Sequence, residues 1–402
     1  MPISLSSLAG GGAASSTTKT YLGGTGTFTL NLPAGAYDVT AHTALTLDGT
    51  ELSANANTKV FGSITKLKSA FGPTDFSSDT EISPSIGGVY VRSTATNGSR
   101  LVIATSSTTP MFYSDDDGAT WTVGSNQPSG TYHNVLTVVW DPIGERFLAS
   151  GSYNNSQWVW IQSADGATWS PLSKAGSYTT NTYGNEKMWT FSNGYTVAMA
   201  TDYIDVLAPG SNSVTRYYNS SYRVDGASAN YADNTIYMVN GNSSSYYYVI
   251  DVSSISNSLS SPKQVNNSGT GMDGVGANGD TIVVLYSSQY ITSTDGGATW
   301  GPISSIPGIA NSHSGNCNFV NGSFVIYGYN GSNNYVFTTS TDGLTWTSSN
   351  GPEYNGLRDI NFDNGKLYVT WANRTNFNVL AASQTALQAT IETLGELVAP
   401  DA

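Results

Sequence analysis

The chain has 402 residues, of which 11% are charged and 39% hydrophobic, and carries a formal net charge of −13. That acidity excludes a nucleic-acid interface built on clustered lysine and arginine. The single cysteine, Cys317, excludes an intrachain disulfide, and no apolar run is long enough for a transmembrane helix. Serine, threonine, asparagine, glycine and tyrosine stand where charge would be, and short apolar runs recur throughout, which is the composition of an ordered all-β protein.

Residues 1–18 are a small-residue arm ending in Gly10, Gly11, Gly12, Ala13, Ala14, Ser15 and Ser16. The arm has neither the basic start nor the long apolar centre of a secretory signal. It reads as a flexible tail or as a docking peptide inserted into a larger assembly. Residues 19–72 read as a small β module. Phe28, Leu30 and Leu32 alternate with polar residues, Pro33, Ala34 and Gly35 turn the chain, and Asp48-Gly49 marks a second turn. A module of this length makes a marginal core, so it is expected to lean on the rest of the chain or on a partner. Residues 73–86, with Pro73 and Pro84, read as a linker.

From Gly87 onward one pattern repeats seven times: a turn dipeptide, then an apolar run. The dipeptides are Asn97-Gly98, Ile143-Gly144, Asn193-Gly194, Asp233-Asn234, Asn278-Gly279, Asn321-Gly322 and Asn364-Gly365. Their spacing stays between 40 and 50 residues. Asn-Gly between apolar segments is a strong hairpin signal, because a primed turn needs φ > 0 at both central residues. A hairpin with two further strands per unit, at that period, predicts the blades of a β-propeller. The fold class expected is therefore all-β: a seven-bladed propeller over 87–384, preceded by the small β module. The seventh blade lacks a sequence for its fourth strand, and a ring with an open blade leaves free sheet edges. A segment within 57–86 is expected to supply that strand. Residues 385–402 read as a tail whose 385–398 stretch is an amphipathic helix, with Leu387, Ile391, Leu394 and Leu397 on one face.

A second repeat is superposed on the first. Ser114, Asp116, Gly118, Thr120 and Trp121 share the pattern S-x-D-x-G-x-T-W with Ser293, Asp295, Gly297, Thr299 and Trp300. Copies one residue shorter run from Ser163 through Asp165 and Gly166 to Trp169, and from Ser340 through Asp342 and Gly343 to Trp346. A short carboxylate accepting backbone N–H groups, a glycine at φ > 0 and a tryptophan starting the next strand make a hairpin corner. These motifs resemble the Asp boxes of the Asp-box (BNR-repeat) β-propeller group, which includes sialidases, other glycoside hydrolases, sorting receptors and many phage tail proteins. The resemblance implies that the boxes are folding elements remote from any active site, with their tryptophans largely buried.

A sialidase would imply three arginines clamping a carboxylate, a Tyr–Glu nucleophile pair, an acidic proton donor and an Arg-Ile-Pro motif. The chain has seven arginines but no Arg-Ile-Pro. A general glycosidase needs two carboxylates about 5–10 Å apart. Asp225, Asp273 and Asp359, near the starts of inner strands, are the candidates, with capping of backbone N–H groups as their plainer use. Asp115, Asp116 and Asp117 have too few oxygens together for Ca²⁺, His42, His133 and His313 are too scattered for a metal, and no cofactor is expected.

The turns between second and third strands are rich in tyrosine, serine, glycine and asparagine, which is the composition of recognition surfaces. Tyr153, Asn154, Tyr203, Tyr246, Tyr290, Tyr329, Asn330 and Tyr335 are expected to ring one face. Arg358 and Arg374 would add donors there, and Asp225 and Asp273 acceptors. The expected protein is a phage virion component, a tail, fibre or capsid appendage, made in the host cytoplasm and released by lysis. It would meet other virion proteins through its arm and module, sit in many copies or as a homo-oligomer, and bind a cell-surface glycan or a neighbouring virion protein on this face without bond cleavage. The alternatives are a sialidase-like glycoside hydrolase and a purely architectural decoration protein.

Overall fold

A computed structural model describes residues 79–381 outside 108–109, 128–132, 154–156, 176–186, 200–202, 219–223, 232, 241–245, 256–262, 266–270, 311–312, 321, 331–334, 351–356, 364–365 and 372, together with short strands between 3 and 68 and between 387 and 394. The arm and the module, apart from those strands, lie outside the described residues.

The larger of two units holds residues 75–363 and 367–381 and contains seven antiparallel sheets. Each sheet starts with one of the strands Val91–Thr96, His133–Asp141, Lys187–Thr190, Val224–Asn230, Gly274–Asn278, His313–Val320 and Leu357–Asp363. The expected apolar runs form the second strands, such as Leu101–Thr105, Thr196–Met199 and Thr281–Tyr286. Val102, Ile103, Val197, Ile282, Val283 and Val284 are buried completely, because both faces of these strands meet a neighbouring sheet. The architecture is a seven-bladed β-propeller.

The seventh blade is completed from the other end of the unit. Asp79–Ile82 pairs antiparallel with Phe377–Ala381, with Phe377 opposite Ile82 and Leu380 opposite Asp79. The stretch 73–86 thus holds a blade strand and is more than a linker. The third blade carries a fifth strand, Ser173–Ala175, parallel to Ser213–Tyr218. The turns between first and second strands of blades 1, 3, 4 and 5 depart from the primed form. One residue of each dipeptide is left-handed: Gly98 at φ 90°, Gly194 at 83°, Asn234 at 54° and Gly279 at 53°. In blade 1 the loop is longer, since Thr96 faces Leu101, and Asn97 contributes through its side chain. Its Oδ1 accepts the N–H groups of Ser99 and Arg100 at 3.1 and 2.9 Å.

The four S-x-D corners share one network. Ser114 Oγ donates to Asp116 Oδ1 at 2.7 Å, and the Thr120 N–H donates to the same oxygen at 2.8 Å. Ser293 with Asp295, Ser163 with Asp165 and Ser340 with Asp342 repeat the first bond at 2.8, 2.9 and 2.9 Å. The Thr120 hydroxyl, its N–H and the Ser114 hydroxyl hold the Asp116 carboxyl down at about 2; Thr299 and Ser293 do the same for Asp295. Asp115 is committed to Arg100, whose guanidinium reaches it at 2.6 and 2.9 Å.

Every corner docks on the preceding blade. Trp121 meets Phe377 of blade 7 edge-on at 6.1 Å, and a Cβ at Gly118 would fall 2.9 Å from Ile82. Trp169 packs among Val102, Ala104 and Met111 of blade 1. Trp300 meets Tyr247 of blade 4 at 5.7 Å, and Trp346 meets Tyr290 of blade 5 at 5.3 Å. Trp169 is 1% exposed, whereas Trp121, Trp300 and Trp346 keep an edge in solvent. Blade 3 docks by other means: Trp160 Nε1 of blade 2 donates at 3.1 Å to Asp205, which Arg216 clamps with two 2.6 Å bonds.

The smaller unit holds 1–74, 364–366 and 382–402. Within it Leu387–Ile391 is the middle strand of a sheet with Gly26–Leu30 and Lys66–Lys68, and Thr393–Leu394 pairs with Gly62–Ser63. The amphipathic helix expected over 385–398 is therefore replaced by strands. Leu387, Ala389 and Ile391 also fit a period of two, and a waiting antiparallel partner on each side decides between the periods.

Candidate functional site

The recognition face expected from the sequence is only partly assembled. The side chains of Tyr153, Asp225 and Tyr335 and all of Asn154 lie outside the described residues. Tyr203 is 4% exposed, with the Arg216 guanidinium 3.6 Å over its ring. Tyr290 is 8% exposed, and its hydroxyl donates to the Leu344 carbonyl at 3.3 Å. Both tyrosines serve as joints between or within blades, and neither is on the surface. Their sequence neighbourhoods are turn-like, but each begins a third strand whose alternate residues face the next blade. Tyr246 and Arg374 are exposed, and Tyr329, Asn330 and Arg358 are half-buried. The Val91 N–H donates to the Arg374 carbonyl at 2.9 Å, which sets Arg374 beside the start of blade 1. Asp273 Oδ2 accepts the N–H of Ser287, itself left-handed at φ 50°, at 2.5 Å. That is the capping use of an aspartate.

A second assembly lies at the ring's centre. Each inner strand is a sheet edge with unpaired backbone groups. Side chains of neighbouring blades satisfy several of them. Ser93 Oγ takes the Val138 N–H at 3.2 Å and lies 3.3 Å from the Val138 carbonyl, while Thr370 Oγ1 donates to the Arg92 carbonyl at 2.9 Å. Asn361 Nδ2 donates to the Thr94 carbonyl at 2.5 Å. Adjacent inner strands approach closely: a Cβ at Gly276 of blade 5 would fall 2.6 Å from the Cys317 carbonyl of blade 6.

Lys187 crosses the ring's centre. Its Nζ, from blade 3, donates to Asn318 Oδ1 on blade 6 at 2.9 Å, and blades 3 and 6 are not neighbours in the ring. Asp359 of blade 7 accepts the Ser93 hydroxyl of blade 1 at 2.7 Å and the Ile360 N–H at 3.0 Å. Loss of water pushes the Lys187 ammonium down to about 8, with Asp359 pulling the other way. Burial likewise raises the Asp359 carboxyl, opposed by the Ser93 hydroxyl and by Lys187. Cys317 is fully buried beside them, its thiol pushed up by burial. Lys187, Asn318 and Asp359 are each half-buried as whole residues, while the charged ends of Lys187 and Asp359 are withdrawn from water. Of these groups the sequence reading singled out Asp359 alone as a candidate. Lys187 could have been suspected as the one charged residue in the strand Lys-Met-Trp-Thr, but nothing in the sequence pairs it with a position 131 residues away.

No protein-family model matches the chain, and no curated protein matches it in sequence. Solved structures match in fold. YCF48 bound to D1 peptide aligns with a TM-score of 0.56 at 12% identity, over 79% of this chain and 99% of that one. YCF48 from Cyanidioschyzon merolae aligns at 0.53 and 11%, over 76% and 99%. A chain of a mitotic checkpoint complex aligns at 0.55 and 10%, over 77% and 96%. Likeness at this level of identity, to proteins from such different settings, establishes the β-propeller fold and nothing narrower.

Proposed function

We propose that this chain is a structural component of a phage particle whose propeller presents a binding face to a cell-surface glycan or to a neighbouring virion protein. The four S-x-D corners are, in this reading, Asp boxes of the phage-associated propeller group, supported by their common serine–aspartate–threonine network and their common docking on the preceding blade. The observation that carries the binding role is the surface chemistry around the turns between second and third strands. Tyr246 is exposed, and Tyr329 and Asn330 are half-buried there, while Arg374 stands exposed near the start of blade 1. Tyrosine gives rigid amphipathic contact, and small polar residues adapt around it. Single contacts of this kind are weak, and many copies on one particle make them effective together. Sialidase-type cleavage is disfavoured, because the chain lacks the Arg-Ile-Pro motif.

The test displays the full chain in many copies on a bead and measures retention on host cells. Tyr246→Ala together with Tyr329→Ala is expected to cut retention at least about tenfold at unchanged unfolding midpoint, a loss of ~1.4 kcal/mol in overall avidity. Unchanged retention would leave an architectural role. Hydrolysis of surface glycan, lost on Asp273→Asn, would replace the reading with a glycosidase.

A further inference from the structure

We propose that the outer edge of blade 6, the strand Thr347–Asn350, is a docking site that takes an extended, cationic segment of a partner protein as an added strand. The site is separate from the tyrosine-bearing turns, and the inference does not depend on the binding-face reading.

Each blade ends in an outer strand whose free side carries unpaired N–H and C=O groups. Proteins blunt such templates by shortness, charge or proline. Six of the seven outer strands are blunted in this way. Thr122–Val123, Ser170–Pro171, Lys263–Gln264 and Ser304–Ser305 have 2 residues each, and Pro171 and Lys263 add to the effect. Ser173–Ala175 holds Lys174, and Asp79–Ile82 holds Asp79 and Glu81. Blade 6 departs from the pattern. Thr347–Asn350 has 4 residues, and no charged residue stands between Asp342 and Glu353. Its inner side pairs with Tyr335–Ser340, from Thr347 opposite Thr339 to Asn350 opposite Val336. Among the described residues no strand pairs with its outer side. The edge is also held in place. Ser348 Oγ donates to the Pro307 carbonyl of blade 5 at 2.6 Å and lies 3.1 Å from Thr338 Oγ1. A preformed edge lowers the ordering cost of adding a strand.

Two observations choose the occupant. A strand of 4 residues, at about 3.4 Å each, spans roughly 14 Å, which covers far less than the roughly 1,000 Å² that a stable contact between folded proteins needs. A second copy would also bring its own net charge of −13 against this one. An extended segment draws its affinity from main-chain hydrogen bonds and needs no broad surface. Positive charge on that segment is steered toward the acidic chain. Thr347, Ser348 and Asn350 are exposed, small and uncharged, so they admit the segment without repelling its side chains.

The experiment measures binding of the full chain to a fluorescent peptide that alternates valine and threonine between terminal lysines. An N-methylated twin cannot pair its backbone, and a second twin carries glutamate in place of lysine. The lysine peptide is expected to bind, and each twin to bind at least about tenfold more weakly. Thr347→Lys with Asn350→Lys, both at exposed positions, is expected to weaken the lysine peptide at least about tenfold at unchanged unfolding midpoint. Thr122→Lys with Val123→Lys, the same charge change on the outer edge of blade 1, is expected to leave binding unaltered. Equal binding of either twin, equal loss from both pairs of substitutions, or no binding of the lysine peptide would overturn the proposal. So would dimers of the unliganded chain that the blade 6 substitutions abolish, since the edge would then belong to a second copy. Should the blade 6 variant fold poorly, the two twins on the native chain still decide.

Discussion

Truncation of Trp169 probes the joint between blades most sharply. Its ring is 1% exposed and lies among Val102, Ala104, Met111, Phe147 and Ile161, residues of two different blades. Its indole N–H donates to the Gly166 carbonyl at 3.2 Å, and its backbone N–H donates to the Ser125 carbonyl of blade 1 at 3.0 Å. Burying roughly 200 Å² of aromatic surface at about 25 cal/mol/Å² contributes about 5 kcal/mol. Trp169→Ala removes most of that contribution and leaves a void that rigid sheets on both sides cannot close, so a loss of about 3–5 kcal/mol is expected. The assay is urea unfolding of the full chain, read as a lowered midpoint at unchanged slope. Trp346→Ala is the comparison. Trp346 is half-buried and is expected to cost less than Trp169. A loss below about 1 kcal/mol for Trp169→Ala, or equal losses for both, would refute the view that the corners hold blades together through buried tryptophan.

Other consequences follow from the same contacts. Asp205→Asn breaks a pair whose side chains are 4% and 5% exposed, leaving Arg216 charged in the core. It should cost about 3–5 kcal/mol, while Asp205→Leu with Arg216→Met should recover most of that, as two unfolding curves would show. Asp116 and Asp295 are depressed to about 2, so the stability they contribute is complete above the ordinary carboxylate value of about 3.9 and is lost as pH falls through 2. Thr120→Val with Thr299→Val should therefore move the acid transition, followed by tryptophan fluorescence, to higher pH; an unmoved transition contradicts the hydrogen-bond account. Gly297 sits at φ 88°, and an added Cβ would run into the Tyr247 hydroxyl. Gly297→Ala should destabilise by more than about 1 kcal/mol, whereas a neutral midpoint would show that Tyr247 moves aside freely.

The repeated turn dipeptide and its period make seven blades legible in the sequence, because each copy combines a turn residue with a strand buried on both faces. The missing strand of blade 7 is legible for the same reason: a counted unit is short by one, and an open edge has to be filled. Other features are decided by partners that no local pattern names. Leu387, Ile391 and Leu394 fit a helix as well as a strand, and Gly26–Leu30, more than 350 residues earlier, settles the choice. Tyr203 and Tyr290 stand in turn-like surroundings, yet Arg216 and Trp346 from other strands draw them inward. The central cluster is the least legible part. Lys187 and Asn318 meet across 131 residues, and Ser93 and Asp359 across 266, in sequence stretches with no motif of their own.

Electron microscopy of purified phage particles, with peptide mass spectrometry to confirm the chain, tests the central functional claim most directly. The account predicts seven-bladed rings in regular copies on the particle, with the turns bearing Tyr246 and Tyr329 directed at solvent or at a neighbouring protein. Absence of the chain from every purified particle, together with glycan turnover by the free protein, would contradict it.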